Sequence, residues 1–323
     1  MVTAIIPVYK PGKRFFKLLG ALAKQSVCPK QVIVMLTEDS EYDLEEIKSG
    51  INDYFKKNPF ISFTSDNEKL PYKLEIKRVA KSDFDHAGTR QKAALSAEGD
   101  YMLFLTQDVK LYNDEVISEL QNCFRDEAVA VAYARQIAND NAKLAERFTR
   151  IYNYPSKSHT YSKKDIVRNG IRTYFCSDCC ALYRRDYFFE IGGFADKIIF
   201  GEDTDFAARA IEEDYSIAYC ATAKVYHSHN LDITTSCKRS FDIGVLHADL
   251  ADKFEISKTT GTGKKYVLDT FHYLWGQHNF VDAIDFAMES VLKYINYGLG
   301  RIYKILPAVV IDKLTGNKNY WLK

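Results

Sequence analysis

The sequence predicts an α/β chain, with a mostly parallel central sheet followed by a helical C-terminal extension. Three observations predict it. The chain opens on a strand–helix–strand pattern. Short apolar runs then alternate with helix-period segments as far as Tyr226, and beyond about residue 236 the strand signals stop. Such alternation implies right-handed crossovers between parallel strands.

Thr3 to Tyr9 is a β-rich run, broken by Lys10-Pro11-Gly12. Residues 13–25 place Phe16, Leu19, Leu22 and Ala23 at helical spacing. Gln31 to Leu36 is apolar from Val32 onward, as a strand covered on both faces must be. Leu44 to Phe55 reads as a helix, Tyr72 to Val79 as a strand, Gly88 to Glu98 as a helix and Tyr101 to Leu105 as another buried strand. Asn113 to Phe124 is helical, with Asn113 or Asp114 as its cap. Val129 to Tyr133 is a strand, whereas 139–170 is polar and aromatic without a clear period. Phe175 to Tyr183 reads as a strand, Asp203 to Glu213 as a helix and Ile217 to Tyr226 as one or two closing strands. Phe271 to Tyr297 is helical, with Ile284, Ala287, Val291, Leu292 and Ile295 apolar. A boundary near 235–255 separates a domain of residues 1–240 from an extension of residues 241–323.

Composition narrows the function. The chain has 323 residues, 46% hydrophobic and 27% charged, with a formal net charge of +1. That is globular rather than disordered, and the near-zero charge speaks against a nucleic-acid partner. No run of ~18 apolar residues predicts a membrane span. The first ten residues lack a signal-peptide pattern, so the expected location is cytoplasmic. Seven cysteines then read as reduced thiols, and Cys176-Ser-Asp-Cys179-Cys180 as small buried residues rather than a zinc site. Gly261-Thr-Gly-Lys-Lys265 is not a phosphate loop, because no Ser or Thr follows the lysine pair and the upstream Gly is missing.

Four segments carry chemistry. Leu103-Phe-Leu-Thr-Gln-Asp108 sets a carboxylate just past a buried strand, where it can hold a divalent metal or simply make a turn. Phe200-Gly-Glu-Asp-Thr-Asp205 crowds three carboxylates at a helix start. They either raise one another's pKa or complement the helix dipole. Val225-Tyr-His-Ser-His229 puts two imidazoles on one side of a strand end, as metal ligands or as surface residues. Ser82-Asp-Phe-Asp-His-Ala-Gly-Thr-Arg90 opens a helix whose free N–H groups and Arg90 suit an anion, or a capped start alone.

The order of these segments resembles inverting glycosyltransferases of family 2, over residues 1–240. Phe84-Asp-His-Ala-Gly-Thr-Arg90, Thr106-Gln-Asp108 and His227-Ser-His229 are similar to those of bacterial rhamnosyltransferases within it. The resemblance implies the GT-A fold, a Rossmann-like nucleotide-diphospho-sugar transferase fold. It implies a dTDP-L-rhamnose donor and a polysaccharide or lipid-linked glycan acceptor, with UDP-hexose or UDP-N-acetylhexosamine donors as the alternative. A catalytically weak sugar-nucleotide-binding subunit is a further alternative.

Residue roles follow from the resemblance. Pro7 and Tyr9 line the nucleotide pocket. Thr37, Glu38 and Asp39 compete for the base contact on the second strand, and Asp85 matches another base-contacting position. His86 and Arg90 fall on the diphosphate side. Gln107 lies in the donor site, where Thr106-Gln107-Asp108 keeps only the last acid of the family's Asp-x-Asp. Asp108 and His227, with His229 as an extra, would hold Mg²⁺ or Mn²⁺. Asp203 matches the catalytic base, and Ser177, Asp178 and Glu202 fall on the acceptor side, the first two in a strand. From Ser290 onward six basic residues face a single acid, Asp312, with Tyr and Trp between them. This tail is expected to touch an anionic membrane, pair with a second copy as a homodimer, or pack on the catalytic domain.

Overall fold

The computed structural model describes residues 1–38, 44–57, 70–254 and 262–321; Asp39 lies outside them. The strands are β1 (Val2–Val8), β2 (Gln31–Thr37), β3 (Lys73–Val79), β4 (Tyr101–Leu105), β5 (Lys110–Leu111), β6 (Val129–Ile137), β7 (His159–Tyr161), β8 (Cys180–Arg184) and β9 (Ser216–Tyr226). They form one sheet in the order β3-β2-β1-β4-β8-β6-β9-β5, with β7 also paired to β9.

The pairings β3–β2–β1–β4 and β6–β9 are parallel, while β8 runs antiparallel to both β4 and β6. This reversal shapes the site. It brings the entrance of β8 to the edge where β4 and β6 end, with Leu105 opposite Cys180. At the far side β5 pairs antiparallel with β9, Lys110 opposite Tyr226, which draws Asp108 toward His227.

The helices are α1 (Lys13–Ala23), α2 (Leu44–Lys57), α3 (His86–Ala94), α4 (Val116–Asn122), α5 (Leu144–Asn153), α6 (Ile166–Asn169), α7 (Arg185–Glu190), α8 (Glu202–Glu212), α9 (Ile233–Lys253), α10 (Thr262–Gly276), α11 (Phe280–Arg301), α12 (Ala308–Leu314) and α13 (Lys318–Trp321). Strand alternation splits the core between the two sheet faces. Ile5, Ile33, Phe104 and Tyr183 face one way. Ala4, Ile6, Val34, Leu103 and Leu182 face the other.

Several expectations are corrected. The strand read over Phe175 to Tyr183 begins only at Cys180, so Ser177 and Asp178 lie in the loop before it. The unassigned stretch contains α5, an amphipathic helix, together with β7 and α6. Helix α4 starts at Val116 after Glu115, not at Asn113 or Asp114. The single helix read over 271–297 is two helices, broken at His278, whose φ is 57°. The 240/241 division falls inside α9, and Phe241, Val245, Leu246 and Leu250 of α9 share a core with the sheet. No helix among the described residues is long and apolar enough to cross a membrane.

Helices α9 and α11 touch backbone to backbone. A Cβ at Gly300 would meet the Phe241 carbonyl oxygen, and one at Gly244 the Tyr297 carbonyl oxygen. Gly300→Ala therefore forces the helices apart, at a cost of roughly 1–3 kcal/mol. A urea midpoint measures it against Gly263→Ala, where no described residue lies within 4 Å of the added Cβ. Equal midpoints for the two variants would contradict the close crossing.

Candidate active site

Asp108, His227 and His229 each offer one ligand atom, and these atoms lie within 4.8 Å of one another. Asp108 Oδ1 is 3.7 Å from His227 Nε2, and its Oδ2 is 3.5 Å from His229 Nε2. The β5–β9 pairing makes this meeting, with the two histidines on one side of the strand end. Buried Gln136 then orients His227. Its Oε1 accepts from Arg150 Nη1 at 2.7 Å, which sets the amide, and lies 3.0 Å from His227 Nδ1. The acceptor Oε1 requires Nδ1 to carry the proton, leaving the Nε2 lone pair toward Asp108. Burial pushes the His227 pKa down to about 4, against the pull of Asp108, so the ring is neutral at pH 7. A neutral imidazole held by an outer hydrogen bond, beside a second imidazole and a carboxylate, is a donor set that fits a divalent metal.

The second cluster surrounds the start of α8. Gly201, at φ 76°, turns the chain into the helix, and a Cβ there would meet Leu246 of α9. The Gly192-Gly193 turn before it also needs positive φ, 93° and 67°, which glycine adopts without steric cost. Arg209 in α8 donates to the carbonyls of Ile191 and Gly193 and so ties that turn to the helix. Asp203, in the first turn, accepts from the Asp178 N–H at 3.0 Å and the Thr204 N–H at 2.7 Å. Burial, with the Glu202 charge beside it, raises its pKa from 3.8 to about 6 in spite of these bonds. A carboxylate with that value is ionised at neutral pH and still basic enough to take a proton.

Arg90, expected on the diphosphate side, turns inward to two carboxylates. It is buried, with Nη1 2.8 Å from Glu202 Oε1 and Nε 3.5 Å from Asp178 Oδ2. Its guanidinium is the counter-charge of the cluster. Glu202 and Asp178, expected on the acceptor side, are themselves buried. Asp178 accepts from the Tyr183 hydroxyl at 2.7 Å, and burial, with Asp203 nearby, pushes its pKa well up. Ser177 Oγ accepts from Gln136 Nε2 at 2.8 Å. The 177–178 loop thus joins the metal-ligand side, through Gln136, to the Asp203 side.

The donor-side residues divide. Pro7 and Tyr9 sit at the carboxyl end of β1, and the exposed Tyr9 ring lies 5.7 Å from Lys10 Nζ and 5.4 Å from Lys81 Nζ. Gln107 is occupied by the Tyr9 backbone, accepting its N–H at 2.9 Å and donating to its C=O at 2.8 Å. That pair clamps β1 to the turn after β4. Asp85 caps α3 through the Gly88 N–H at 2.6 Å. His86 is exposed at the start of α3, edge-on to Phe84. Thr37 is buried with no hydrogen-bond partner for its hydroxyl among the described residues, and exposed Glu38 pairs with Arg78 at 3.4 Å. Sequence reasoning missed Gln136, Arg150 and Tyr183, which are ordinary polar residues without a motif around them.

Known proteins are similar to this chain in sequence and in fold. The family model described as Glycosyl transferase family 2 matches residues 3–192. O-antigen chain rhamnosyltransferase RfbN of Salmonella typhimurium is 32% identical, over 99% of this chain and 96% of its own length. O-antigen chain rhamnosyltransferase WbaN of Salmonella anatum is likewise 32% identical, over 99% of this chain and 95% of its own. Among solved structures, the mannosyltransferase PcManGT of Pyrobaculum calidifontis, in complex with GDP-Man and Mn²⁺, superposes with a TM-score of 0.56 at 15% identity, over 100% of this chain and 87% of that one. TarS 1-349 of S. aureus gives 0.54 at 14% identity, over 97% and 77%. Both have the GT-A fold that the resemblance implies. With a family model over residues 3–192 and relatives 32% identical over nearly the whole chain, the chain belongs to glycosyltransferase family 2.

Proposed function

We propose that this transferase moves L-rhamnose from dTDP-L-rhamnose to a hydroxyl of a lipid-linked glycan, with inversion, in building a cell-surface polysaccharide on the cytoplasmic side of the membrane. The Asp203 carboxylate, held near pKa 6 at the cluster edge, carries the reading of the chemistry. The two rhamnosyltransferase relatives, similar over nearly the whole chain, support the sugar.

Asp203 takes the proton of the acceptor hydroxyl as its oxygen bonds to the sugar C1, and the bond from C1 to the diphosphate oxygen breaks. A single carboxylate suffices for such a displacement, whereas retention through a covalent intermediate needs a second, nucleophilic one. Glu202 and Asp178 are not available for that second role, because both are buried against Arg90. Asp108, His227 and His229 would hold a divalent ion, and such an ion would supply positive charge against the leaving diphosphate. Mn²⁺ suits two imidazoles and a carboxylate better than Mg²⁺, which favours oxygen and water. Tyr9, with Lys81 and Lys10 beside its ring, gives the nucleotide an aromatic face and positive charge.

Two measurements test this. A thermal-shift panel of dTDP-rhamnose, dTDP, UDP-sugars and GDP-sugars, with and without Mn²⁺, reads donor choice by mass action. The dTDP ligands are expected to stabilise most, and preference for UDP would transfer the chain to the UDP-hexose reading. Asp108→Asn should weaken Mn²⁺ binding, followed by the loss of its free-ion spin-resonance signal, by about 100-fold. Unchanged binding would remove Asp108 from the ligand set.

A further inference from the structure

The inward turn of Arg90 leaves the diphosphate side of the site without the cation expected there. Arg239 of α9 is the residue placed to replace it. A Cβ at Gly201 would meet Leu246 of α9, so α9 lies across the start of α8. Arg239 precedes Leu246 by seven residues and so shares its face of the helix. Its guanidinium lies 6.0 Å from the ring centre of Phe200, the residue before Gly201. Its charge also acts on two imidazoles from other elements, His86 at the start of α3 and His227 of the metal-ligand set. Desolvation by the surrounding protein is the larger influence on both, although His86 is open to solvent, which is how the wall of a cleft behaves. The Arg239 side chain is exposed, with no hydrogen bond or ion pair among the described residues. Asp242, the nearest acid along α9, is taken by Thr315 and Asn317.

We propose that Arg239 grips the diphosphate of the sugar-nucleotide donor, in the cleft between α3, the end of β9 and the start of α8. The inference rests on the transferase reading above and adds to it the protein's own diphosphate ligand. Asp108 cancels half the charge of any divalent ion that it would help to hold, so a diphosphate there still lacks a cation. Lys10 and Lys81 are gathered at Tyr9 instead, on the end of β1. A guanidinium brings both charge and a planar set of N–H donors that matches phosphate oxygens. Because Arg239 is unpaired, it meets the ligand without first giving up a carboxylate. The same contact then steadies the charge that builds on the diphosphate as its bond to C1 breaks.

Calorimetric titration of the full chain with dTDP, once in Mn²⁺ and once in chelator, tests this. Arg239→Gln should bind dTDP about 10–100-fold more weakly in both, the loss expected for one charge-assisted contact. Its thermal midpoint without ligand should not change, since the side chain is exposed. Thymidine has no phosphate, and by saturation-transfer NMR it should bind both proteins alike. Arg239→Lys should recover part of the affinity. Lys238→Gln removes the same charge one residue away and should leave dTDP binding as it was. Equal dTDP affinity for the unmodified chain and Arg239→Gln overturns the proposal. So does an equal loss in Lys238→Gln, or a parallel loss of thymidine. The donor reading fails separately: an unmodified chain that prefers UDP to dTDP refutes the thymine base, while a deficit of Arg239→Gln toward UDP still assigns the diphosphate contact. An unmodified chain that binds neither diphosphate overturns both.

Discussion

Asp203→Asn is expected to lower turnover by roughly 10²–10⁴-fold, the range for loss of a positioned general base. The amide keeps the size of the carboxylate but cannot take the acceptor proton. Binding of dTDP, followed by calorimetry, should hardly change, because Asp203 bonds to the Asp178 and Thr204 N–H groups and not to the donor-side residues. The same carboxylate sets the acid limb of the pH profile. Its pKa is raised from 3.8 to about 6, and the base works only when ionised. Turnover per unit of free protein should therefore fall about tenfold for each pH unit below 6. An unshifted carboxylate would keep the rate flat to near pH 4. Near-normal turnover of Asp203→Asn, or a profile flat to that pH, would take the base role from this residue.

Arg90→Met should destabilise the fold by about 3–5 kcal/mol, the cost of leaving buried charges unpaired. The methionine replaces much of the volume but leaves the buried Glu202 carboxylate, and Asp178, without their cation. Chemical denaturation reads the loss. Arg90→Lys should recover only part, since one ammonium cannot reproduce the planar fork that reaches both acids. Removing the cation also lets Asp203 rise further, so the acid limb in any folded Arg90→Met protein should move to higher pH. A stability loss under ~1 kcal/mol would mean that Arg90 is not the counter-charge of the cluster.

Most of the fold was legible where period and burial agree. β1, β2 and β4 are continuous apolar runs because helices or loops cover both their faces, and each lies within a residue or so of its reading. Helix α5 was not legible, although its amphipathic pattern is strong. Its surroundings are aromatic and polar, and it buries no side chain fully. Helix α9 was hidden for a different reason: its apolar residues pack back onto the sheet rather than forming a domain of their own. The basic count of the tail was correct as a count but misleading as a surface, because ion pairs with Asp252, Asp312 and Glu289 absorb much of it.

By itself the sequence determined the order of the apolar strands β1, β2 and β4 and the helices between them, the residue types at the strand ends, and through them the family. Those are local properties: an Asp after a buried strand and His-x-His at the end of another can be read within ten residues. Only the tertiary structure decided what each charged side chain faces. Reversal of β8 carries Ser177 and Asp178 to the edge where β4 ends, and the β5–β9 pairing sets Asp108, in the turn after β4, beside His227. Arg90, 112 residues before Glu202 in the chain, turns inward to it because a buried carboxylate must be paired, and so becomes the counter-charge of the carboxylates around Asp203.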